Sequence, residues 1–221
     1  MSSCSIQRSK GIMVLTNIFL TFEVITISEL MKKAYLFFFF CLIYCSKAEK
    51  NQLKPISVKD FKEFVNATGY ETDAEKYGWS IVQVNVFDFE IVDGANWLKP
   101  DGKNPSLDSL PVTQVSYKDA IEYCKWANVS LPTYEQYWDL VSNDKRVIVS
   151  DNKYPISPVE KVNVVGNVWD ITETINSNKV RLAGGSLFCS KDTCHGTQKD
   201  RELYVDKETG NIHIGFSVLT Q

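Results

Sequence analysis

The sequence predicts an α+β domain with much irregular backbone, and three observations lead to this fold class. Three segments begin with a helix-capping residue and continue with apolar residues at helical spacing. A few short segments are rich in β-branched and aromatic residues, which is typical of strands. The remaining segments are polar and predict ordered loops. The composition of the 221 residues, 44% hydrophobic and 23% charged, is sufficient for a sizeable core.

The three predicted helices share one start signal, a hydroxyl residue followed three positions later by a carboxylate or an amide. Such a pair satisfies two backbone N–H groups at the helix start. The pairs are Ser57 with Asp60, Ser116 with Asp119, and Thr133 with Gln136. Apolar residues then predict the buried faces: Phe61, Phe64 and Val65; Ala120, Ile121, Cys124 and Ala127; and Tyr137, Leu140 and Val141. Cys124 is therefore predicted to be a small core residue.

The strand candidates are three segments, one in the first half of the domain and two near its C-terminal end. Residues 79–92 alternate in part between apolar and polar side chains. Residues 179–188 run into a Gly-Gly bend, and residues 211–219 are predicted to close the chain as one strand. Few strands, few helices and many loops together favour the α+β class over a layered α/β fold.

The first part of the chain has the layout of a secretory signal. Residues 31–45 begin with a Met and two lysines, continue with an apolar run and end at Cys45. The segment "LIYC" resembles a relaxed bacterial lipobox, in which the cysteine is lipidated, although Tyr44 departs from the usual small residue. An ordinary signal peptide or an uncleaved anchor is the alternative. The apolar run is shorter than the ~20 residues of a membrane-spanning helix.

The domain boundaries follow from this signal. Residues 1–30 fit neither a signal nor a domain, so we interpret them as an over-extended N-terminus, with translation starting at Met31. Residues 46–55 are polar and predict a tether, and residues 56–221 form the domain. We therefore expect a protein of the cell envelope, exported and attached to the membrane through a lipid on Cys45.

Composition excludes two classes of function. The net charge of −3 and the lack of a basic stripe argue against a nucleic-acid partner. The two histidines argue against a His-rich zinc site. Cys189 and Cys194 follow a Gly-Gly-Ser turn with four residues between them. That spacing alone leaves a disulfide, a metal site and a catalytic pair open.

Six segments in order resemble one family, the formylglycine-generating enzymes, also called sulfatase-modifying factor domains. Each motif is weak by itself, but their shared order over about residues 56–221 is specific. The segments are FKEFVNATGYETDAE (61–75), GANWLKPDG (94–102), PVTQVSYKDAIEYCKW (111–126), GNVWDI (166–171), GGSLFCSKDTC (184–194) and IGF (214–216). The resemblance implies a loop-rich α+β fold related to C-type lectins.

The resemblance also implies a chemistry. Active members of the family are similar to mononuclear copper oxidases, so Cys189 and Cys194 would bind Cu(I), which prefers soft sulfur ligands. Ser186 would assist on the oxygen side of the site. The expected partner is a peptide or protein such as a sulfatase, whose own cysteine is oxidised to formylglycine.

A structural calcium ion is the second cofactor that the resemblance implies. Its ligands would be the Asn163 side chain, the carbonyl groups of Gly166 and Val168, and the Asp170 carboxylate. Such oxygen ligands suit Ca²⁺. Asp170 stands where the family usually has Glu. The alternative is a turn held by the Asn and Asp side chains without a metal.

Several departures from the family's pattern keep other readings open. Three departures remove positive charge: Ala183 replaces a basic residue, Ser217 replaces the arginine of a closing G-F-R, and only Arg201 remains of a basic run after Cys194. Two others concern segments of the chain. No F-x-M-G hairpin precedes Pro55, and the stretch between Leu140 and Asn163 is short. Many relatives keep the fold and lack the cysteine pair. The main alternative is therefore a non-catalytic, lectin-like binding module for an envelope ligand, with a Cys189–Cys194 disulfide. A weaker one is a relative that oxidises a small thiol.

Overall fold

The computed structural model describes residues 31–32, 52–84, 88–141, 159, 165–174, 177–188, 199–200 and 202–220. The chain divides into two compact units, Met1–Lys50 and Asn51–Gln221. In the first unit only Met31 and Lys32 are described, and both are helical. The predicted signal segment and lipidation at Cys45 therefore lie outside the described residues. Across the described ranges, no helix has the length and apolar character needed to cross a membrane.

Four helices lie in the described part of the second unit, and the three predicted ones are among them. They are α1 (Val58–Thr68), α2 (Asp73–Tyr77), α3 (Tyr117–Ala127) and α4 (Tyr134–Val141). The predicted capping boxes are present at Ser57, Ser116 and Thr133. Helix α2 was not predicted, although Thr72 and Glu75 form a capping box of the same kind.

The starts of α2 and α3 are locked together by buried polar contacts. The Ser116 hydroxyl donates to Asp73 at 2.7 Å. The Asp119 carboxylate accepts from the Asp73 amide at 3.1 Å and from the Tyr70 hydroxyl at 2.9 Å. Burial raises the pKa of Asp119, and these hydrogen bonds oppose that shift. The segment between α1 and α2 is thereby fixed against α3.

The described strands form three small sheets. β1 (Gln52–Pro55) pairs antiparallel with β8 (Ser217–Thr220), and β2 (Trp79–Gln83) pairs antiparallel with β3 (Phe89–Asp93). The third sheet has the order β6-β5-β4-β7, in which only the β4–β7 pair is parallel. Its strands are β4 (Trp169–Ile171), β5 (Lys179–Ala183), β6 (Leu203–Asp206) and β7 (Ile214–Gly215).

The predicted tether, residues 46–55, is wrong at its C-terminal end. Residues 52–55 form β1, with Gln52 opposite Thr220 and Pro55 opposite Ser217. Leu53 packs partly buried against a hydrophobic cluster that includes three aromatic residues of α4. The segment has no β-branched residues, so its own sequence gives no strand signal. Its conformation comes from the partner strand β8 and from the contact with α4.

The predicted closing strand, residues 211–219, is two strands in different sheets. β7 and β8 are separated by Phe216, which is 2% exposed. At Gly215 a Cβ atom would overlap the Val112 carbonyl oxygen, so the chain passes close to another backbone segment there. The chain leaves one sheet after Gly215 and joins β1 from Ser217 onwards, which a periodicity of side chains does not reveal.

The core is centred on aromatic residues from α1, α3 and the closing segment. Phe61 packs against Phe64 and Trp97 at ring-centroid distances of 5.3 Å, and against Phe216 at 6.4 Å. Such edge-to-face pairs contribute about 0.5–1.5 kcal/mol beyond their buried area. Cys124 is a free, buried thiol beside this cluster, which confirms its predicted role. Burial raises its pKa to about 12, so it stays protonated.

The pairing of β1 with β8 predicts different stabilities for two truncated chains. A chain that starts at residue 51 keeps β1, whereas one that starts at residue 56 loses it. Because four cross-strand pairs are lost, we expect the shorter chain to be less stable by about 1–4 kcal/mol. Urea denaturation of both chains measures this difference. Equal midpoints would mean that residues 52–55 are a tether after all.

Candidate functional site

The Gly-Gly-Ser turn that precedes the predicted copper ligands is well defined. β5 ends at Ala183, and Gly184 and Gly185 follow with φ angles of +86° and +72°. Side chains other than glycine rarely adopt these angles. Ser186 is 1% exposed, and its hydroxyl oxygen accepts a hydrogen bond from the Phe188 amide at 3.4 Å. The turn thus places Ser186 inside the domain rather than on an open surface.

This turn is bound to the segment that carries the predicted calcium ligands. The Gly166 amide donates to the Gly184 carbonyl at 2.8 Å, and the Leu187 amide donates to the Asn167 carbonyl at 3.2 Å. β4 and β5 continue the contact, with Asp170 opposite Ala183. The structure therefore brings together the two regions that the sequence assigned to separate cofactors.

The predicted site residues fall into two groups. Ser186, Gly166, Val168 and Asp170 are described, and all four are buried. Cys189, Cys194, Asn163 and Cys45 lie outside the described residues. Copper binding by the cysteine pair therefore stays a prediction. Within the described ranges, no three His, Cys, Asp or Glu side chains are grouped closely enough to hold a metal ion.

Asp170 is the most deeply buried charged group of this region, at 2% exposed. Its carboxylate accepts from the Ser217 hydroxyl at 2.7 Å and from the Tyr137 hydroxyl at 3.3 Å. The second bond is long for an O–H···O contact and is the weaker of the two. Burial raises the pKa of Asp170 to about 7, because the hydrogen bonds offset the loss of water only in part. We call Asp170, Tyr137 and Ser217 the buried carboxylate network.

The hydrogen bonds of the network use one lone pair on each oxygen of Asp170, which is also a predicted calcium ligand. A calcium ligand presents its carboxylate oxygens to the ion. Here each oxygen of Asp170 accepts from a protein hydroxyl group. The carboxylate thus links helix α4 to strands β4 and β8. Ligation of calcium by Asn163, Gly166, Val168 and Asp170 remains a prediction.

The network joins two of the departures from the family's pattern. Asp170 stands in place of Glu and Ser217 in place of Arg, and their side chains contact each other. A shorter acid and a small hydroxyl residue occupy the position of a longer acid and a cation. In the sequence the two changes stand 47 residues apart, and helical spacing predicts Tyr137 only as a core residue. No short motif links the three, because they lie on α4, β4 and β8.

Tyr137 also limits what can stand in the Gly-Gly-Ser turn. A Cβ atom at Gly184 would overlap the Tyr137 hydroxyl group. Tyr137 is fully buried, and burial beside Asp170 raises its pKa, so the hydroxyl remains a donor. Helix α4 therefore contacts both the buried carboxylate and the turn that leads to Cys189.

Arg181 is a cation near this region that sequence reasoning did not single out. Its guanidinium carbon lies 3.5 Å from the Tyr134 ring centroid and 5.9 Å from that of Tyr204. It also forms an ion pair with Glu202 at 3.2 Å. These contacts connect α4, β5 and β6, so Arg181 stabilises the sheet that carries Ala183.

His213 packs on the residue before Cys189. Its ring lies 4.3 Å from that of Phe188, and its carbonyl accepts from the Trp169 amide at 2.7 Å. His213 is fully buried, and burial lowers its pKa to about 4. The imidazole is therefore neutral near pH 7. The ring contact with Phe188 places His213 beside the turn, and no sequence signal predicted it.

Comparison with known proteins identifies the family. Residues 52–140 match the family described as "Sulfatase-modifying factor enzyme 1-like domain". A formylglycine-generating enzyme of Mus musculus is 30% identical over 213 residues, which covers 63% of this chain and 57% of that protein. These matches support the assignment of the chain to the sulfatase-modifying factor family. It spans little more than half the length of this curated relative.

The chain resembles relatives that are named as enzymes and relatives that are named as inactive. A Bos taurus protein named "Inactive C-alpha-formylglycine-generating enzyme 2" is 28% identical over 203 residues, covering 66% of this chain and 67% of that protein. The solved structure of PvdO from Pseudomonas aeruginosa has a TM-score of 0.50 at 12% identity, covering 75% of this chain and 77% of that one. This likeness confirms the loop-rich α+β fold and carries no further inference.

The raised pKa of Asp170 predicts how stability changes with pH. The folded protein binds this proton up to about pH 7, whereas the ordinary pKa is 3.8. Stability from this group is therefore greatest below pH 4 and falls through about pH 7, by up to about 1.4 kcal/mol per pH unit. In EDTA, the free energy of unfolding of the wild type relative to Asp170→Asn should fall by about 2 kcal/mol between pH 5 and pH 8.

Two results would contradict this assignment of Asp170. A difference between wild type and Asp170→Asn that does not vary with pH would exclude the buried carboxylate network as described. Added Ca²⁺ that stabilises the wild type but not Asp170→Asn would favour the calcium site instead, because binding to the folded state alone raises stability.

The contact between Gly184 and Tyr137 predicts a coupled pair of substitutions. Gly184→Ala should cost about 2–4 kcal/mol, from the positive φ and from overlap with the Tyr137 hydroxyl. In a Tyr137→Phe background the cost should fall to about 1–2 kcal/mol, because the overlap with the hydroxyl is gone and the ring carbon 3.0 Å away needs only a small shift, so that backbone strain dominates. Urea denaturation of the double-mutant cycle measures the coupling.

Gly69→Ala is the matched control for this cycle. Gly69 also has a positive φ of +66°, but a Cβ atom there meets nothing within 4 Å. Its cost should equal that of Gly184→Ala in the Tyr137→Phe background. Equal costs for Gly184→Ala in both backgrounds would mean that the tyrosine hydroxyl does not restrict the turn.

Proposed function

We propose that this member of the sulfatase-modifying factor family is an exported oxidase that converts a cysteine of a polypeptide substrate to formylglycine. Cys189 and Cys194 bind Cu(I), and the protein is held at the membrane by a lipid on Cys45. The observation that carries the proposal is the Gly-Gly-Ser turn, which the structure builds at residues 184–186 and which leads directly into the cysteine pair.

The surroundings of Ser186 support this proposal. The turn is held by two backbone hydrogen bonds to residues 166 and 167 and by the close approach of Tyr137 to Gly184. A fixed turn limits the positions available to the residues that follow it. Preorganised ligands lower the cost of binding a metal or a substrate. The neutral ring of His213 against Phe188 adds an apolar, uncharged contact immediately before Cys189.

The proposed conversion balances with dioxygen and a thiol reductant. The substrate side chain changes from CH₂SH to CHO and releases its sulfur as H₂S. One oxygen atom of O₂ enters the aldehyde, and the other leaves as water. Two thiols supply the two remaining electrons and protons and become a disulfide. Copper, when bound, supplies the one-electron chemistry that dioxygen requires.

The second candidate function is a non-catalytic binding module in which Cys189 and Cys194 form a disulfide. The likeness to a bovine protein named as inactive favours it, since 67% of that protein is covered. The departures at Ala183 and Ser217 favour it as well, because both remove a cation that the resemblance would place there.

Incubation with a substrate peptide tests the proposal. The full chain, reduced and loaded with Cu(I), is mixed in air with a thiol reductant and a peptide of sulfatase type, Cys-x-Pro-x-Arg. Mass spectrometry then measures conversion of cysteine to aldehyde. We expect conversion by the wild type and a loss of at least about 100-fold in Cys189→Ala and in Cys194→Ala, because each removes a metal ligand.

Cys124→Ala is the matched control, since it removes a thiol that is buried and protonated beside the core. It should leave turnover within about twofold while lowering stability by a small cavity cost. No conversion by the copper-loaded wild type, together with a Cys189–Cys194 disulfide in the intact mass of the protein as purified, would establish the binding module instead.

A further inference from the structure

A cavity lies in the domain at a different place from the Gly-Gly-Ser turn. It has a volume of about 340 Å³ and is formed by α2, β2 and the segment that follows β6. Neither Ser186 nor Asp170 lines it. Its walls differ in chemistry, because one is aromatic and the other is acidic. The cavity is therefore distinct from the Gly-Gly-Ser turn.

The aromatic wall consists of Tyr77 and Trp79. Their rings are stacked, with centroids 5.9 Å apart and an interplanar angle of 27°. Tyr77 is 47% exposed and Trp79 is 39% exposed. Gly78 lies between them with a φ of +76°, and this left-handed conformation ends helix α2 between the two residues. Two large rings are thus held side by side and remain open to solvent.

The acidic wall consists of Asp206 and Glu208, both exposed. The Tyr77 hydroxyl donates to the Glu208 carboxylate at 3.0 Å, which fixes this acid beside the rings. Among the described residues, neither acid forms an ion pair, and no lysine or arginine lines the cavity. Lys179 lies opposite Asp206 in the β5–β6 pair and offsets part of its charge.

The other lysines near the cavity are directed to other groups. Lys76 and Lys118 both approach Asp73, at 3.8 and 3.7 Å. Lys207 lies between the two acids in sequence, and its ammonium group sits 5.2 Å from the Tyr117 ring centroid. The cavity therefore keeps a local excess of negative charge.

The floor of the cavity is fixed by a buried amide. The Ser80 hydroxyl donates to the Gln114 side-chain oxygen at 2.5 Å. The Gln114 nitrogen donates to the carbonyl groups of Pro100 and Ile81, at 2.7 and 3.1 Å. Gln114 is fully buried and has a positive φ of 58°, which is costly outside glycine. The hydrogen bonds of Gln114 thus hold the floor between the two walls in place.

An apolar surface of the β2–β3 hairpin continues from the cavity. Ile81 lines the cavity and is directly opposite Ile91, which is 70% exposed. Phe89, on the same face two positions along β3, is 56% exposed. We call these three residues the hairpin strip. A small cation in the cavity would leave this strip in water.

From these observations we infer that the cavity binds the guanidinium or ammonium group of a basic side chain, carried by a polypeptide whose apolar residues cover the hairpin strip. The faces of Tyr77 and Trp79 attract a cation. Asp206 and Glu208 supply its counter-charges. Charge complementarity and the adjoining apolar strip together specify a polypeptide rather than a free cation.

Paired ligands that differ only in charge test the inference. N-acetyl-arginine amide and N-acetyl-citrulline amide are titrated into the full chain and followed by NMR. A seven-residue peptide with one arginine between leucine and valine residues, and its citrulline form, are titrated in the same way. We expect arginine to bind at least about fivefold more tightly than citrulline, since only arginine gains the cation–π contact and the exposed ion pairs.

Variants assign the effect to the walls. Asp206→Asn with Glu208→Gln should remove the preference for arginine, and Trp79→Leu should weaken arginine binding about threefold. Glu63→Gln, an exposed acid on α1, is the matched control and should change nothing. The arginine peptide should bind more tightly than the single residue, and Ile91→Ser should remove that gain. Thermal unfolding checks that each variant is folded.

Several results would overturn the inference. Equal binding of arginine and citrulline would indicate a neutral ligand that stacks on the rings. A preference that survives in the Asp206/Glu208 double variant would place the site elsewhere. A peptide no tighter than the single residue would exclude a polypeptide partner. A concentration-dependent dimer that Ile91→Ser abolishes would mean that a second copy covers the strip. None of these results depends on oxidase activity.

Discussion

The interaction on which the site depends is the hydrogen-bonded burial of the Asp170 carboxylate. A carboxyl group at 2% exposure is costly unless polar partners replace water. Here the partners come from α4 and β8, through Tyr137 and Ser217. Removing either would leave part of a buried carboxylate unpaired. Helix α4 and strand β8, which are far apart in sequence, are therefore both bonded to β4 through the Asp170 side chain.

The hydrogen bonds of Asp170 also affect the Gly-Gly-Ser turn. β4 is the partner of β5, and β5 ends where Gly184 begins. Tyr137 contacts Asp170 with its hydroxyl group and at the same time excludes any side chain at position 184. The turn that leads to Cys189 is thus set by packing and by backbone hydrogen bonds, and not by its own sequence alone. The family resemblance assigns a cofactor to each side of this contact, whereas the structure shows one connected unit.

Local signals in the sequence were sufficient for three of the four described helices and for the fold class. Capping boxes at Ser57, Ser116 and Thr133 depend on residues three positions apart, so a single sequence reveals them. The same signal at Thr72 was overlooked because α2 has only five residues. β1 and the break at Phe216 were missed for a different reason. Both are decided by contacts between the two ends of the domain, which side-chain periodicity does not encode.

Amide hydrogen exchange in Ser217→Ala tests the central claim most directly. The Gly166 amide donates to the Gly184 carbonyl and the Leu187 amide donates to the Asn167 carbonyl, and these two bonds hold the turn. The Gly94 amide donates to the Gly78 carbonyl beside the β2–β3 hairpin. If the buried carboxylate network positions the turn, the variant exchanges both Gly166 and Leu187 amides faster, while the Gly94 amide keeps its protection. Unchanged protection at Gly166 and Leu187 would contradict the account.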